Sequence, residues 1–184
     1  MTLLLTHGAG SSCESHLLKA LDLALTATGV TVIRFNLPYR DIRPTGPPRY
    51  GDDVTARAAI RRRAEQADRP VIAGGHSYGG RQTSILAAED PSLLDGLFLL
   101  AYPLHPPRKP DQPRTSHFAA LRTPALFIHG DRDPFGSAEE MHAALELISA
   151  RKQIMLLERA GHELTNHGPS MAAGIITAFH EFFG

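Results

Sequence analysis

Apolar residues along this chain gather into short unbroken runs, each closed by a turn signal. The runs are LLLTH (3–7), VTVIRFN (30–36), PVIAGGH (70–76), GLFLLAYPL (96–104), PALFIHGD (124–131) and QIMLLERA (153–160). Unbroken rather than alternating apolar character predicts strands covered on both faces, as in a parallel sheet. Amphipathic stretches lie between the runs. In SHLLKALDLALTATG (15–29), Leu17, Leu18, Leu21 and Leu25 share a helical face, and Gly29 marks the stop. A second helix is predicted over 52–67, where Asp52 or Asp53 can cap the start. A third covers 81–90 and is stopped by Pro91. A fourth, over 137–149, opens with Ser137 and Glu140 at capping-box spacing, and a fifth covers 170–183. Six strands alternating with about five helices predict an α/β fold: a mostly parallel sheet with helices on both faces.

Two stretches break this rhythm, LPYRDIRPTGPPRY (37–50) and YPLHPPRKPDQPRTSHF (102–118). Both follow strands and are rich in Pro and Arg. Ligands of open α/β sheets bind at the carboxyl ends of the strands, so these loops are expected to form the rim of a site.

Composition narrows the function classes. At 184 residues the length favours one domain, 1–184, and 42% apolar content is ordinary for a soluble globular chain. Nineteen basic residues balance nineteen acidic ones, which argues against nucleic acid or an anionic membrane as partner. Cys13 is the only cysteine, so an intramolecular disulfide and paired-cysteine zinc sites are excluded. MTLLLTHGAG lacks the basic leader of a secretory signal, and no run is long enough for a membrane span. A cytoplasmic protein is expected.

The candidate chemistry begins in VIAGGHSYGG (71–80). Gly75-His76-Ser77-Tyr78-Gly79 fits G-x-S-x-G, after a predicted strand and before a predicted helix, the context a nucleophile elbow requires. Glycines flanking the serine fit a corner too tight for side chains, with Ser77 at its tip. A P-loop is excluded, because Gly80-Arg81 stands where Lys followed by Ser or Thr would be needed. A serine hydroxyl is a weak nucleophile unless a base takes its proton and a third group orients that base.

Downstream strands supply both groups in serine–acid–histidine order. LFIHGDRDPF offers Asp133, with Asp131 as the competitor, and IMLLERAGHEL offers His162, with His167 as the competitor. The first strand ends in His7-Gly8-Ala9-Gly10, where backbone N–H groups can meet a developing oxyanion. Ala9 and Tyr78 are the expected donors, with Gly10 as the alternate. Histidine spacing fits no zinc motif, so no metal and no cofactor are expected.

With these residues together, the chain resembles an α/β-hydrolase from THGAGSS through GGHSYGG and HGDRDPF to AGHEL. AYPLHPPRKP followed by TPALFIHGDRDPFG is similar to the small uncapped branch of dienelactone-hydrolase-like, KAN-like and testis-expressed hydrolase-like proteins. The resemblance implies an α/β-hydrolase fold, from which two departures are expected: the usual leading antiparallel strands are absent, and no insertion after GLFLLAYPL is long enough for a lid domain. It implies a serine hydrolase acting on a small ester, lactone or thioester through Ser77, His162 and Asp133. A catalytically silent binding module, or a peptidase or other acyl transferase with the same three residues, remains open at this point. His76, His105 and Arg40 are candidates for the substrate rim. Arg40, Arg43, Arg49, Arg108, Lys109 and Arg114 lie in or beside the rim loops, and an acidic substrate would suit them.

Overall fold

The computed structural model describes residues 1–164 and 169–184, the latter segment with side chains from 172 onward. Six strands form one sheet: β1 (Thr2–Thr6), β2 (Thr31–Arg34), β3 (Val71–His76), β4 (Gly96–Leu100), β5 (Ala125–Gly130) and β6 (Lys152–Leu157). All neighbours pair in parallel, in the order β2-β1-β3-β4-β5-β6. The unbroken apolar runs have the predicted cause. In β1, Leu4 enters the core on one face while Leu3 and Leu5 enter the other; in β4, Leu97 and Leu99 oppose Phe98 and Leu100. Both faces of a central strand therefore need apolar side chains.

Helices cover both faces. α1 (His16–Thr26) and α6 (Pro169–Phe183) pack one side through Leu18, Leu21, Leu25, Ile175 and Phe179. On the other side, α3 (Asp52–Gln66), α4 (Tyr78–Glu89) and α5 (Ala138–Leu145) contribute Ile60, Leu86 and Met141. Edge strands β2 and β6 are only partly buried, so the cores thin out at the sheet margins.

Three departures from the sequence prediction have a local reason. The first Pro/Arg loop holds a short helix, α2 (Pro38–Ile42), because Pro38 at its first position is pre-set for helical geometry. α4 starts at Tyr78, three residues early, so Gly79 and Gly80 lie inside the helix and not in a turn ahead of it. β4 stops at Leu100 although the apolar run continues to Leu104. Ala101 takes a left-handed φ of 46°, and Tyr102 and Leu104 are buried as loop residues.

Between β4 and β5, residues 101–124 carry only a 3-10 turn (Phe118–Ala120), with no cap among the described residues. No antiparallel strand occurs among them, and no helix there is long and apolar enough to cross a membrane. Connections from β1 run outward to β2 and then return to β3 on its other side. The strand order thus reverses between β1 and β3, and the crevice at their carboxyl ends is where such a sheet can admit a ligand.

Candidate active site

At that crevice the chain turns sharply. Ser77 sits between β3 and α4 with φ 51° and ψ −112°, a conformation that side-chain-bearing residues rarely adopt. The corner is held in place: the Ser77 N–H donates to the Leu100 carbonyl at 2.8 Å, and the Ser77 carbonyl accepts from the Arg81 N–H at 2.9 Å. Flanking glycines serve the neighbouring strand as much as the turn. A Cβ at Gly75 would overlap the Thr6 carbonyl oxygen, and one at Gly79 would overlap the Thr6 hydroxyl. Gly75 also has φ 142°, open in practice only to glycine. The end of β1 is thereby drawn against the elbow.

The Ser77 hydroxyl lies 2.8 Å from His162 Nε2, and His162 Nδ1 lies 2.7 Å from Asp133 Oδ2. A carboxylate only accepts, so Nδ1–H donates to Asp133 and leaves Nε2 as acceptor for the serine hydroxyl. Asp133 is fully enclosed, and its other oxygen accepts from the Phe135 N–H at 2.8 Å. The His162 ring is only 13% exposed, and the Phe135 ring lies against it at 4.1 Å between centroids. The loops carrying acid and histidine are tied directly, since the Arg132 N–H donates to the Ala160 carbonyl at 2.9 Å. Asp131, the competing acid, is exposed, and the imidazole pairs with Asp133 instead. His167, the competing base, lies outside the described residues.

The loop after β1 is pinned from behind. The Leu37 N–H donates to His7 Nε2 at 3.0 Å, so His7 Nδ1–H must donate to the Gly8 carbonyl at 2.8 Å. Burial, above all, pushes the His7 pKa down and keeps that ring neutral. The Ala9 carbonyl accepts from Arg40 Nη2 at 2.8 Å and from the Tyr39 hydroxyl at 3.0 Å. In a trans peptide the N–H points opposite to the preceding carbonyl. Fixing the Gly8 and Ala9 carbonyls therefore aims the Ala9 and Gly10 N–H groups the other way. Gly8, Ala9, Gly10 and Tyr78 all border the cavity that holds Ser77 and His162, a space of about 520 Å³.

Of the three residues expected at the rim, Arg40 and His105 have other surroundings and His76 borders the cavity. Arg40 is buried outside the cavity lining, and four of its five guanidinium N–H groups donate to the carbonyls of Ala9, Ser11, Arg43 and Gly46. His105 faces away from the cavity, 3.3 Å from Glu140 and hydrogen-bonded to the Pro106 carbonyl. His76 does border the cavity, but it is 6% exposed and its Nε2–H donates to the His162 carbonyl at 2.8 Å. Burial is the main reason its pKa falls below the ordinary histidine value. Its ring steadies the backbone beneath the imidazole that faces Ser77.

The sequence reading passed over Arg81 and Phe135, which both border the cavity, as Arg114 also does. Arg81 stands four residues after Ser77, close to one helical turn, which is the signal that could have found it. Among the described residues no cluster of His, Cys, Asp or Glu could hold a metal ion.

Comparisons with known proteins bear on this geometry. A sequence model described as an alpha/beta hydrolase domain matches residues 1–174. The chain is similar in structure to dienelactone hydrolase from Anabaena variabilis, with a TM-score of 0.77 at 21% identity over 99% of this chain and 84% of that one. It is likewise similar to TT1662 from Thermus thermophilus, at 0.75 and 26% identity over 100% and 89% of the two chains. Est1E from Butyrivibrio proteoclasticus, solved with ferulic acid bound, matches at 0.75 and 16% identity over 98% and 88%.

Proposed function

The chain belongs to the alpha/beta hydrolase family, and from that premise we propose that it is a serine hydrolase cleaving a small ester, lactone or thioester through an acyl-enzyme. One observation carries the reading: the unbroken hydrogen-bond chain from the Ser77 hydroxyl through His162 to Asp133, set on a strained elbow beside an open cavity. Structural neighbours named as a dienelactone hydrolase and as an Est1E with ferulic acid bound are in keeping with an ester-type substrate.

The steps follow from the geometry. Ser77 Oγ attacks the substrate carbonyl carbon while its proton passes to His162 Nε2, 2.8 Å away. Asp133 holds the ring in the tautomer that leaves Nε2 free and stabilises the imidazolium that forms. Negative charge gathers on the carbonyl oxygen, and the N–H groups of Ala9 and Tyr78 receive it, with Gly10 as the alternate donor. Neither the Ala9 nor the Tyr78 N–H donates to another described residue. Each such donor is worth about 10²–10³ in rate. His162 then gives its proton to the leaving alcohol or thiol as the carbonyl reforms. Water repeats the sequence on the acyl-enzyme, releasing the acid and restoring the serine hydroxyl.

An open cavity without a cap suits a short or exposed acyl group better than a long chain. A panel of 4-nitrophenyl esters graded in acyl length tests this, with Ser77→Ala as the blank. Turnover of the short esters that vanishes in Ser77→Ala supports the reading. Wild-type rates no higher than those of Ser77→Ala across the panel refute it.

A further inference from the structure

Two arginines border the cavity that holds Ser77, and neither has an anionic partner. Arg81 lies on α4 four residues after Ser77, about 6 Å further along the helix axis and on nearly the same face. Among the described residues its Nε is buried without a hydrogen-bond partner. Arg114 arrives from the 101–124 segment. Its backbone is fixed there by bonds from its N–H to the Leu104 carbonyl and from the Tyr102 hydroxyl to its own carbonyl, each 2.7 Å. Among the described residues its guanidinium reaches only the Pro103 carbonyl, at 3.5 Å.

Several arginines elsewhere are matched, buried Arg40 by four carbonyls and others by acids. Arg34, Arg43, Arg57, Arg61 and Arg69 each meet an Asp or Glu. No ion pair joins Arg81 or Arg114 to a described residue, and residues 165–171, Thr-Asn-His-Gly-Pro-Ser-Met, contain no acid. Two of the titratable groups beside the pair, His117 and Tyr102, are held neutral. Burial and then the Arg81 charge push His117 down to about 4, and burial keeps the Tyr102 hydroxyl protonated. Glu163 also borders the cavity, where its charge acts on His76. Burial and the nearby Arg81 charge lower the pKa of Arg114 itself. Two cations kept within each other's field, partly out of water and next to a nucleophile, weaken the fold unless something anionic joins them.

We propose that Arg81 and Arg114 together bind a carboxylate carried by the substrate, so that the hydrolase acts on esters bearing a free acid group. This rests on the serine-hydrolase reading of the same cavity. Paired guanidinium forks suit a planar carboxylate, because charge-assisted bonds of this kind are short and directional. The cavity of about 520 Å³ has room for a small two-headed acid alongside Ser77.

Two matched ester pairs test the proposal. One compares mono-4-nitrophenyl adipate with its methyl-capped counterpart; the other compares the butyrate ester of 4-hydroxybenzoate with that of methyl 4-hydroxybenzoate. In at least one pair, kcat/KM for the anionic ester should exceed the neutral one by tenfold or more. Arg81→Gln and Arg114→Gln should each lower that ratio at least tenfold, and Arg114→Lys should retain part of it. Reading a ratio cancels any general loss of activity, and the wild-type preference needs no variant to fold. Ratios near one in both wild-type pairs overturn the proposal and leave the hydrolase reading standing. So do ratios that persist in both Gln variants. Calorimetric titration of adipate into Ser77→Ala gives a readout without turnover. Binding weakened at least tenfold by adding Arg114→Gln supports the anion site even if no ester is cleaved, whereas no adipate binding and no ester cleavage remove both readings.

Discussion

Replacing Asp133 by Asn changes few atoms and should nearly abolish turnover. Asp133 has two defined partners: Oδ1 accepts from the Phe135 N–H at 2.8 Å and Oδ2 accepts from His162 Nδ1–H at 2.7 Å. An Asn there has one acceptor and one donor end. Phe135 can only donate, so the amide oxygen must face it, and the amide NH₂ is turned towards His162 Nδ1. Nδ1 must then accept, which moves the ring proton to Nε2. That proton points at the Ser77 hydroxyl 2.8 Å away, and the ring can no longer take the serine proton. The imidazolium also loses its buried counter-charge. Together these effects cost roughly 10⁴ in kcat in comparable serine triads, or about 5 kcal/mol at 1.36 kcal/mol per tenfold. Stopped assays with a short 4-nitrophenyl ester read the loss. Thermal unfolding should show a native-like variant, because the Asn fills the same space. An Asp133→Asn protein that keeps more than a tenth of wild-type kcat would refute the tautomer argument.

Other perturbations follow from the same contacts. Gly75→Ala places a methyl group against the Thr6 carbonyl at a φ of 142°, and we expect a loss well above the ~1 kcal/mol of an average point change; chemical denaturation of the purified variant measures it. Arg40→Ala removes a donor from four backbone carbonyls, of which Ala9 keeps the Tyr39 hydroxyl, and this should cost about 2 kcal/mol in stability and lower kcat as the Ala9 loop loosens. Lys at this position should not restore kcat, because only a fork reaches all four oxygens. His117 should titrate near 4 by NMR, held down first by burial and then by Arg81. Its folded value lies below the unfolded value of about 6.5, so the unfolded chain takes the proton first. Stability is then complete above that value and drains away as pH falls towards 4, and His117→Asn should flatten that slope in pH-dependent unfolding.

Much of this fold could be read along the chain because its strands are buried on both faces. Residues 96–100 and 125–128 are apolar at every position, and no helix face produces such a run. Ser77, Asp133 and His162 were legible for a related reason: each follows a strand end with a glycine within three residues before it. What escaped depends on partners distant in sequence. Arg40 and His105 look like rim residues because their loops are polar, yet their side chains turn inward to carbonyls and a carboxylate that no spacing rule reveals. Arg81 stood in plain view one helical turn from Ser77. Only the fold, which brings Arg114 to the same cavity, shows that its charge is left uncompensated.

Intact-mass analysis of the protein after exposure to a fluorophosphonate tests the central claim most directly, since only an activated serine is phosphonylated quickly. The account predicts a single adduct, mapped by peptide sequencing to Ser77, formed by the wild type and absent from Ser77→Ala and His162→Ala. A wild-type mass left unchanged, or an adduct that persists when Ser77 is replaced, would contradict it.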